Sequence, residues 1–184
     1  LDRPAKDAEG KAVAPAAEAP LVAQVWRSIH DPFVGQLTLA RVWGGTLKEK
    51  SEVYNAVKEQ KETVGTVFFL NGKKQETVPE AQAGDIVALA KLKATGLNDT
   101  LCATGKPAKM AAIVFPNPVV SFAVTPKNQS DDDKLGQGLH RVADDDPTIR
   151  VLRNDETHEV IISGVGDMQI DAAMERMKTR SKVE

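Results

Sequence analysis

The sequence predicts a chain of mixed class, in which an all-β barrel is followed by a smaller α+β domain. Two observations lead to this prediction. Between residues 21 and 92, short apolar or β-branched runs alternate with turn residues and no helical pattern intervenes. Beyond Pro116 and Pro118, apolar residues recur at helical spacing. Because 184 residues fit one large domain or two small ones, this change of pattern decides in favour of two.

The first 20 residues have the composition of a linker. They are mainly Ala and Pro with scattered charges, and Val13 is the one large apolar residue between Leu1 and Leu21. Such a segment cannot contribute much to a core. We therefore expect a linker over residues 1–20 and a barrel over residues 21–113.

The predicted strands of the barrel are short runs rich in apolar and β-branched residues. They cover residues 21–29, 36–43, 52–56, 63–70 and 86–92. Turn residues separate them at positions 30–32, 44–45, 71–72 and 83–85. Many short strands without a helix indicate a closed barrel or a sandwich, since closure removes exposed strand edges.

The second domain is predicted over residues 114–184, beginning with a strand at 119–124. Ser130 is the expected N-cap of a first helix, with Asp133 at the capping-box position and Pro147 ending the helix. One face of that helix is apolar at the spacing i, i+4, i+7, i+8. The residues on this face are Leu135, Leu139, Val142 and Ala143.

A hairpin and a second helix complete the predicted pattern. Strands at 148–152 and 159–163 flank the polar turn 153–157, and Asp167 is the expected N-cap of the helix that follows. The apolar face of that helix comprises Ile170, Ala173, Met174 and Met177. The order β-α-β-β-α is that of a ferredoxin-like domain, whose last strand would be short or truncated because the sequence ends at Glu184.

Charge and composition argue against several classes of protein. The net charge is −2, with 15 Lys and Arg against 13 Asp and Glu in residues 1–110 and 9 against 13 in residues 111–184, so neither half resembles a polycation that wraps nucleic acid. No apolar run approaches the length of a membrane span, and we expect no membrane partner. The single Cys102 excludes an internal disulfide and favours a reducing cytoplasm, with Cys102 itself a small buried side chain.

No stretch of the sequence predicts a catalytic, cofactor-binding or metal-binding residue. A Gly-rich phosphate loop ending in Lys and Ser or Thr is absent from the sequence, and the Asp-x-x-Gly matches at 7–10 and 133–136 are too short to indicate one. His30, His140 and His158 lack metal-ligand spacing. The acidic run 131–133 suits a helix N-terminus, whereas the run 144–146 follows a helix and leads us to hypothesise an exposed docking surface there.

The loop Gly164, Val165, Gly166, Asp167 has two possible explanations. It leads from a strand into a helix N-terminus, where outward N–H groups attract anions or the carboxylates of a partner. Two glycines are equally suited to a tight turn between a strand and a helix. The spacing leaves both explanations open.

Several segments, which follow one another in the same order as in the family, are similar to elongation factor G. The segments similar to its domain II are 30–37 (HDPFVGQL), 40–48 (ARVWGGTLK), 83–88 (AGDIVA) and 98–101 (NDTL). The segments similar to its domain III are 124–127 (VTPK), 144–151 (DDDPTIRV) and 161–170 (IISGVGDMQI). The resemblance extends from about residue 21 to the end of the sequence.

The resemblance implies the middle of a cytoplasmic translational GTPase that drives ribosomal translocation. GTP and magnesium would then bind in a G domain before Leu1, and domains IV and V would follow Glu184. The barrel would contact small-subunit ribosomal RNA and proteins near Arg41, Gly44, Gly45 and Lys48. In the second domain, Gly164, Val165, Gly166, Asp167 and Gln169 would lie near the switch region of the G domain, with domain V as another intramolecular neighbour.

The sequence departs from the family where GDMQID stands at 166–171, since the family usually has GELHLE. Any role of the family's histidine is lost here or is taken over by Gln169. The resemblance therefore also allows an elongation factor G-like paralogue, such as a ribosomal protection or recycling factor. A free-standing RNA-binding barrel with an accessory domain is a further alternative, although its near-neutral charge argues against it.

Overall fold

The structure is a computed structural model that describes residues 5–31, 34–72, 74–126, 131–154 and 159–181. The chain divides into two compact units, residues 1–113 and residues 114–184. Within the described ranges, neither helix is long and apolar enough to cross a membrane.

The described residues of the first unit form ten strands. They are β1 (Val22–Asp31), β2 (Gly35–Gly44), β3 (Thr46–Lys48), β4 (Glu52–Asn55), β5 (Gln60–Thr63), β6 (Val67–Asn71), β7 (Lys74–Val78), β8 (Glu80–Gln82), β9 (Ile86–Ala90) and β10 (Thr100–Cys102). Eight of them form one antiparallel sheet in the order β5-β4-β10-β1-β2-β9-β6-β7, and β3 pairs with β8. The predicted all-β barrel fold is confirmed.

The core of the first unit follows from the alternation of side chains along its strands. Inward positions on the paired strands β1 and β2, such as Val25 and Val42, are fully buried, and so are Leu47 on β3 and Leu101 on β10. Each such side chain contributes roughly 1.5–3 kcal/mol through removal of apolar surface from water. Strands from both sheets therefore contribute to this core.

The prediction of one strand over residues 63–70 is wrong, because the strand is interrupted at Gly65. The Gly65 N–H donates to the carbonyl of Ala90 at 3.2 Å, and the Ala90 N–H donates to the carbonyl of Thr66 at 3.1 Å. A Cβ at Gly65 would lie 2.6 Å from the Ala90 oxygen, so this close approach of two backbones requires glycine. Strand β5 therefore ends at Thr63, β6 begins at Val67, and residues 64–66 lie between the two strands.

Residues 5–20 form an irregular segment that lies against the barrel. Asp7 makes an isolated bridge with Met110, and the Ala8 N–H donates to the carbonyl of Lys109 at 2.6 Å. Further along, Gly45 donates its N–H to the carbonyl of Ala16 at 2.9 Å. The segment expected to be a linker thus has specific backbone contacts within the first unit.

The second unit has the element order β11 (Val120–Val124), α1 (Asp132–Asp145), β12 (Arg150–Arg153), β13 (Val160–Gly164) and α2 (Asp167–Ser181). Its sheet order is β11-β13-β12, and both pairs are antiparallel. A hairpin whose second strand inserts between the first two strands is the ferredoxin-like arrangement. The predicted order is confirmed. Residues 155–157 of the predicted turn and residues 182–184, where a last strand was expected, lie outside the described residues.

Both predicted helices are present, but their beginnings differ from the prediction. Asp131 is the N-cap of α1 and makes no side-chain capping bond, while the expected N-cap, Ser130, lies outside the described residues. Helix α2 already includes Asp167, which therefore lies in the first turn and is not the N-cap. As predicted, α1 ends just before Pro147.

The core of the second unit joins the two helices to one face of the sheet. Leu135, Leu139 and Val142 from α1 meet Ile170, Ala173 and Met177 from α2 and Ile162 from β13. These are the helical positions that the sequence pattern predicts, because residues at i, i+3 and i+4 share a face.

Candidate functional site

The connection from β13 to α2 carries the residues that we expected to face a partner. Strand β13 ends at Gly164 and α2 begins at Asp167, so Val165 and Gly166 alone form the link. Two apolar side chains project into solvent here: Val165 is 40% exposed and Met168 is 82% exposed. This end of the second unit, residues 164–168, is called the 164–168 loop below.

The side chain of Gln169 is hydrogen-bonded to the 164–168 loop. The Oε1 atom of Gln169 accepts a hydrogen bond from the Val165 N–H at 2.8 Å, while its Nε2 atom donates to Asp146 Oδ2 at 3.0 Å and to Thr148 Oγ1 at 2.5 Å. An amide can do this because it carries an acceptor and two donors. Gln169 therefore joins the loop to residues that directly follow α1.

Asp146 is the acceptor at the centre of this arrangement. Burial raises the pKa of its carboxyl, but hydrogen bonds from Thr148 and Gln169 and the charge of Arg176 outweigh burial, so the pKa lies below its usual value. The Thr148 N–H donates to Asp146 Oδ1 at 3.0 Å and the Thr148 hydroxyl at 2.6 Å. The carboxylate is thus ionised and well satisfied at neutral pH.

The two glycines of the loop have different reasons to be glycine. A Cβ at Gly164 would lie 2.7 Å from Gln169 Oε1 and 3.0 Å from Ile170 Cγ1, so a side chain there would displace Gln169. At Gly166 a Cβ would meet nothing within 4 Å. Tight packing therefore explains Gly164, whereas it leaves Gly166 unexplained.

The acidic run 144–146 is not the exposed docking surface that we hypothesised. Asp145 is buried, and Arg180 donates to its Oδ2 at 2.6 Å. Asp146 is half-buried and engaged by Thr148 and Gln169, which leaves Asp144 as the exposed member of the run. The hypothesis failed because these partners lie up to 35 residues away in the sequence.

The candidate residues on the barrel separate into two groups. Gly44 and Gly45 are buried beneath residues 13–21: a Cβ at Gly44 would lie 2.8 Å from the Ala14 oxygen, and one at Gly45 would lie 2.6 Å from Leu21 Cα. Lys48 is exposed, with Glu80 at 3.9 Å. Packing therefore accounts for both glycines, while a ribosome contact of Lys48 stays a prediction.

Arg41 occupies an outward position on β2. Its guanidinium lies 4.4 Å from the ring centroid of Trp43, a cation–π distance that orients the charge along the strand. Residues i and i+2 of a strand share a face, so contact between Arg41 and Trp43 could be predicted from the sequence, but our sequence analysis did not predict it.

Within the described ranges, no group of three His, Cys, Asp or Glu side chains is placed to hold a metal ion. Cys102 is fully buried, as predicted, and its thiol lies 3.3 Å from the carbonyl oxygen of Tyr54. The side chains of His30 and His158 are not among those described, and His140 is exposed.

Comparison with protein families agrees with both halves of the fold. The model of elongation factor G domain 2 matches residues 20–104, and that of elongation factor G domain III matches residues 115–184. The chain belongs to the elongation factor G family. The two matches occur in the order barrel then α+β unit, which identifies the described units as domains II and III of an elongation-factor-type protein.

A crystal structure of a protein from Thermus thermophilus has the same fold. The TM-score is 0.77 at 28% sequence identity, and the match covers 90% of this chain but 25% of the Thermus chain. The present chain thus spans about a quarter of that relative.

Proposed function

We propose that domains II and III couple GTP hydrolysis, carried out by a G domain outside these 184 residues, to ribosome binding and translocation. The observation that supports the proposal is the succession of domain II and domain III matches over residues 20–104 and 115–184. A barrel that binds and a compact α+β unit that positions are the parts such a coupling requires.

The barrel is the proposed ribosome-binding part. With 15 basic against 13 acidic residues in positions 1–110, its contacts with ribosomal RNA cannot depend on bulk charge. They would instead rely on single positioned cations, such as Arg41 stacked on Trp43 and the exposed Lys48. Substituting either cation should weaken ribosome binding without unfolding the barrel.

Domain III is the proposed lever. Its helices and sheet share one core, and the 164–168 loop is fixed to that core through Gln169. A rigid body with an anchored, partly apolar tip can transmit a change at the switch region of a G domain, and domain V is the second intramolecular neighbour that we propose. Such a lever has two positions, and the nucleotide state shifts the population between them.

GTP and magnesium are proposed to bind outside residues 1–184, in the cytoplasmic parent protein. The sequence has no Gly-rich loop followed by Lys and Ser or Thr, which phosphate binding by such a G domain needs. Titration of this chain with GTP and Mg²⁺ in a calorimeter should give no binding. Micromolar affinity would refute this part of the proposal.

The departure GDMQID at 166–171 favours an elongation factor G-like paralogue as a second candidate. Such a protein would also hydrolyse GTP on the ribosome but would protect or recycle it. Measuring translocation and subunit splitting side by side with the full-length protein separates the two functions.

The coupling is tested in the full-length protein with Met168→Glu. Met168 is 82% exposed, so the substitution should leave folding and nucleotide affinity unchanged but lower ribosome-stimulated GTP turnover. The matched control is Leu152→Glu on β12, which is 66% exposed and outside the loop. If both variants turn over GTP like the unmodified protein, the loop has no part in coupling.

A further inference from the structure

We propose that Gln169 is a positioning residue, which makes the 164–168 loop and the segment after α1 move as one body. Three hydrogen bonds carry the inference: one from the Val165 N–H to Gln169, and two from Gln169 to Asp146 and Thr148. A contribution of Gln169 to coupling rests on the proposed function, whereas its role in holding the loop in position does not.

The loop has few other means of holding this position. Val165 is 40% exposed, and a Cβ at Gly166 would have no neighbour within 4 Å, so side-chain packing restrains neither residue strongly. Backbone hydrogen bonds restrain the two glycines: the Val119 N–H donates to the Gly164 carbonyl at 2.9 Å, and the Gln169 and Ile170 N–H groups donate to the Gly166 carbonyl at 3.2 and 3.3 Å. Gln169 is therefore the contact that connects the tip of the loop with a distant part of the unit.

The polarity of the amide is the specific feature. Asp146 is an ionised acceptor, so the residue at 169 must present a donor to it and, on its other end, an acceptor to Val165. Gln169→Glu keeps the shape and the acceptor but places a second carboxylate about 3 Å from Asp146, which like charges oppose. The substitution should release the loop.

Reversal of the polarity should restore the connection. In the double variant Gln169→Glu, Asp146→Asn, the amide of position 146 donates to the carboxylate of position 169, which still accepts from Val165. A residue that merely fills space would not be rescued in this way. The rescue therefore distinguishes a positioning role from a general contribution to stability.

The test is amide hydrogen exchange of the 184-residue chain by NMR at pH 7. The Val165 amide should exchange about tenfold faster in Gln169→Glu and return close to the original rate in the double variant. The control amide is Asn154, whose N–H donates to the Glu159 carbonyl at 2.8 Å. Equal acceleration at both amides, or no rescue, would overturn the proposal.

The same variants in the full-length protein separate this inference from the proposed function. Suppose that Val165 exchange accelerates in Gln169→Glu and recovers in the double variant. If ribosome-stimulated GTP turnover also falls and recovers in these variants, both the positioning role and coupling through the loop are supported. If turnover stays constant, the positioning role is supported and coupling through the loop is refuted. An unchanged Val165 amide refutes the positioning role whatever the turnover is.

Discussion

Arg180 donates a hydrogen bond to Asp145 at 2.6 Å and so connects the last turns of the two helices of domain III. The carboxylate is 9% exposed and the Arg180 side chain 47% exposed, so the pair lies at the edge of the core. Asp145 lies at the C-terminal end of α1, where the partial negative charge of the helix dipole is unfavourable for a carboxylate. The neighbouring helix supplies the positive charge that compensates for it.

Arg180→Ala should destabilise domain III, because it removes the cation that faces the buried carboxylate of Asp145. We expect a loss of about 1–2 kcal/mol in the free energy of unfolding, a figure that takes the partial exposure of Arg180 into account. Urea denaturation measures it. Lys178→Ala is the control, since Lys178 is exposed on the same helix and should cost less than about 0.5 kcal/mol. Equal losses in the two variants would contradict the role of the pair.

The sequence pattern predicted those parts of the fold that depend on local periodicity. The apolar positions of α1 and α2 were correct, because a helix face is readable at i, i+3 and i+4. Strand β7 (Lys74–Val78) was missed because its KQETV sequence is polar and mostly exposed. The break at Gly65 was missed because it depends on Ala90, which only the fold brings near.

The candidate site was only partly predictable. The loop itself has a local signal, two glycines between a strand and a helix. Its anchoring does not, since Gln169 contacts Asp146 and Thr148, which lie more than 20 residues earlier. For the same reason the run 144–146 was interpreted as an exposed surface, although two of its three carboxylates have partners inside the domain.

Gly45→Ala should destabilise domain II severely. Gly45 has φ +74°, and a Cβ would lie 2.6 Å from both Cα and N of Leu21, so backbone strain and a clash with main-chain atoms add together. We expect a cost of about 3 kcal/mol or more in thermal or urea unfolding. Gly105→Ala separates the two causes: Gly105 has φ +85° with nothing within 4 Å, and should cost only about 1 kcal/mol. Similar losses in the free energy of unfolding for the two variants would show that residues 13–21 can shift to make room for the new side chain.

Domain III should lose stability in acid, because Asp146 stabilises the fold only while its carboxyl group is ionised. Its folded pKa is lowered, so the ionised carboxylate stabilises the fold above the unfolded pKa of about 3.9, and this contribution is lost as the pH falls from there through the folded pKa. Asp146→Asn should be less stable than the unmodified chain at pH 7, with the difference narrowing below pH 4. Urea unfolding at a series of pH values measures this. As the control, Asp144→Asn at an exposed position should change the free energy of unfolding at pH 7 by less than about 0.5 kcal/mol.

Cys102 should react slowly with thiol reagents until the barrel opens. Its side chain is fully buried on β10, and burial raises the pKa of the thiol, so little reactive thiolate is present or reachable. At pH 8 we expect labelling by a disulfide reagent to be about 100-fold slower, or more, in the native chain than in denaturant, because reaction requires an opening that costs several kcal/mol. The control carries Cys102→Ala together with Lys106→Cys, which places a thiol in an exposed turn a few residues away and should react at once. Rapid native labelling of Cys102 would mean that the pairing between β10 and β4 opens freely. The barrel would then be less rigid than the proposed coupling requires.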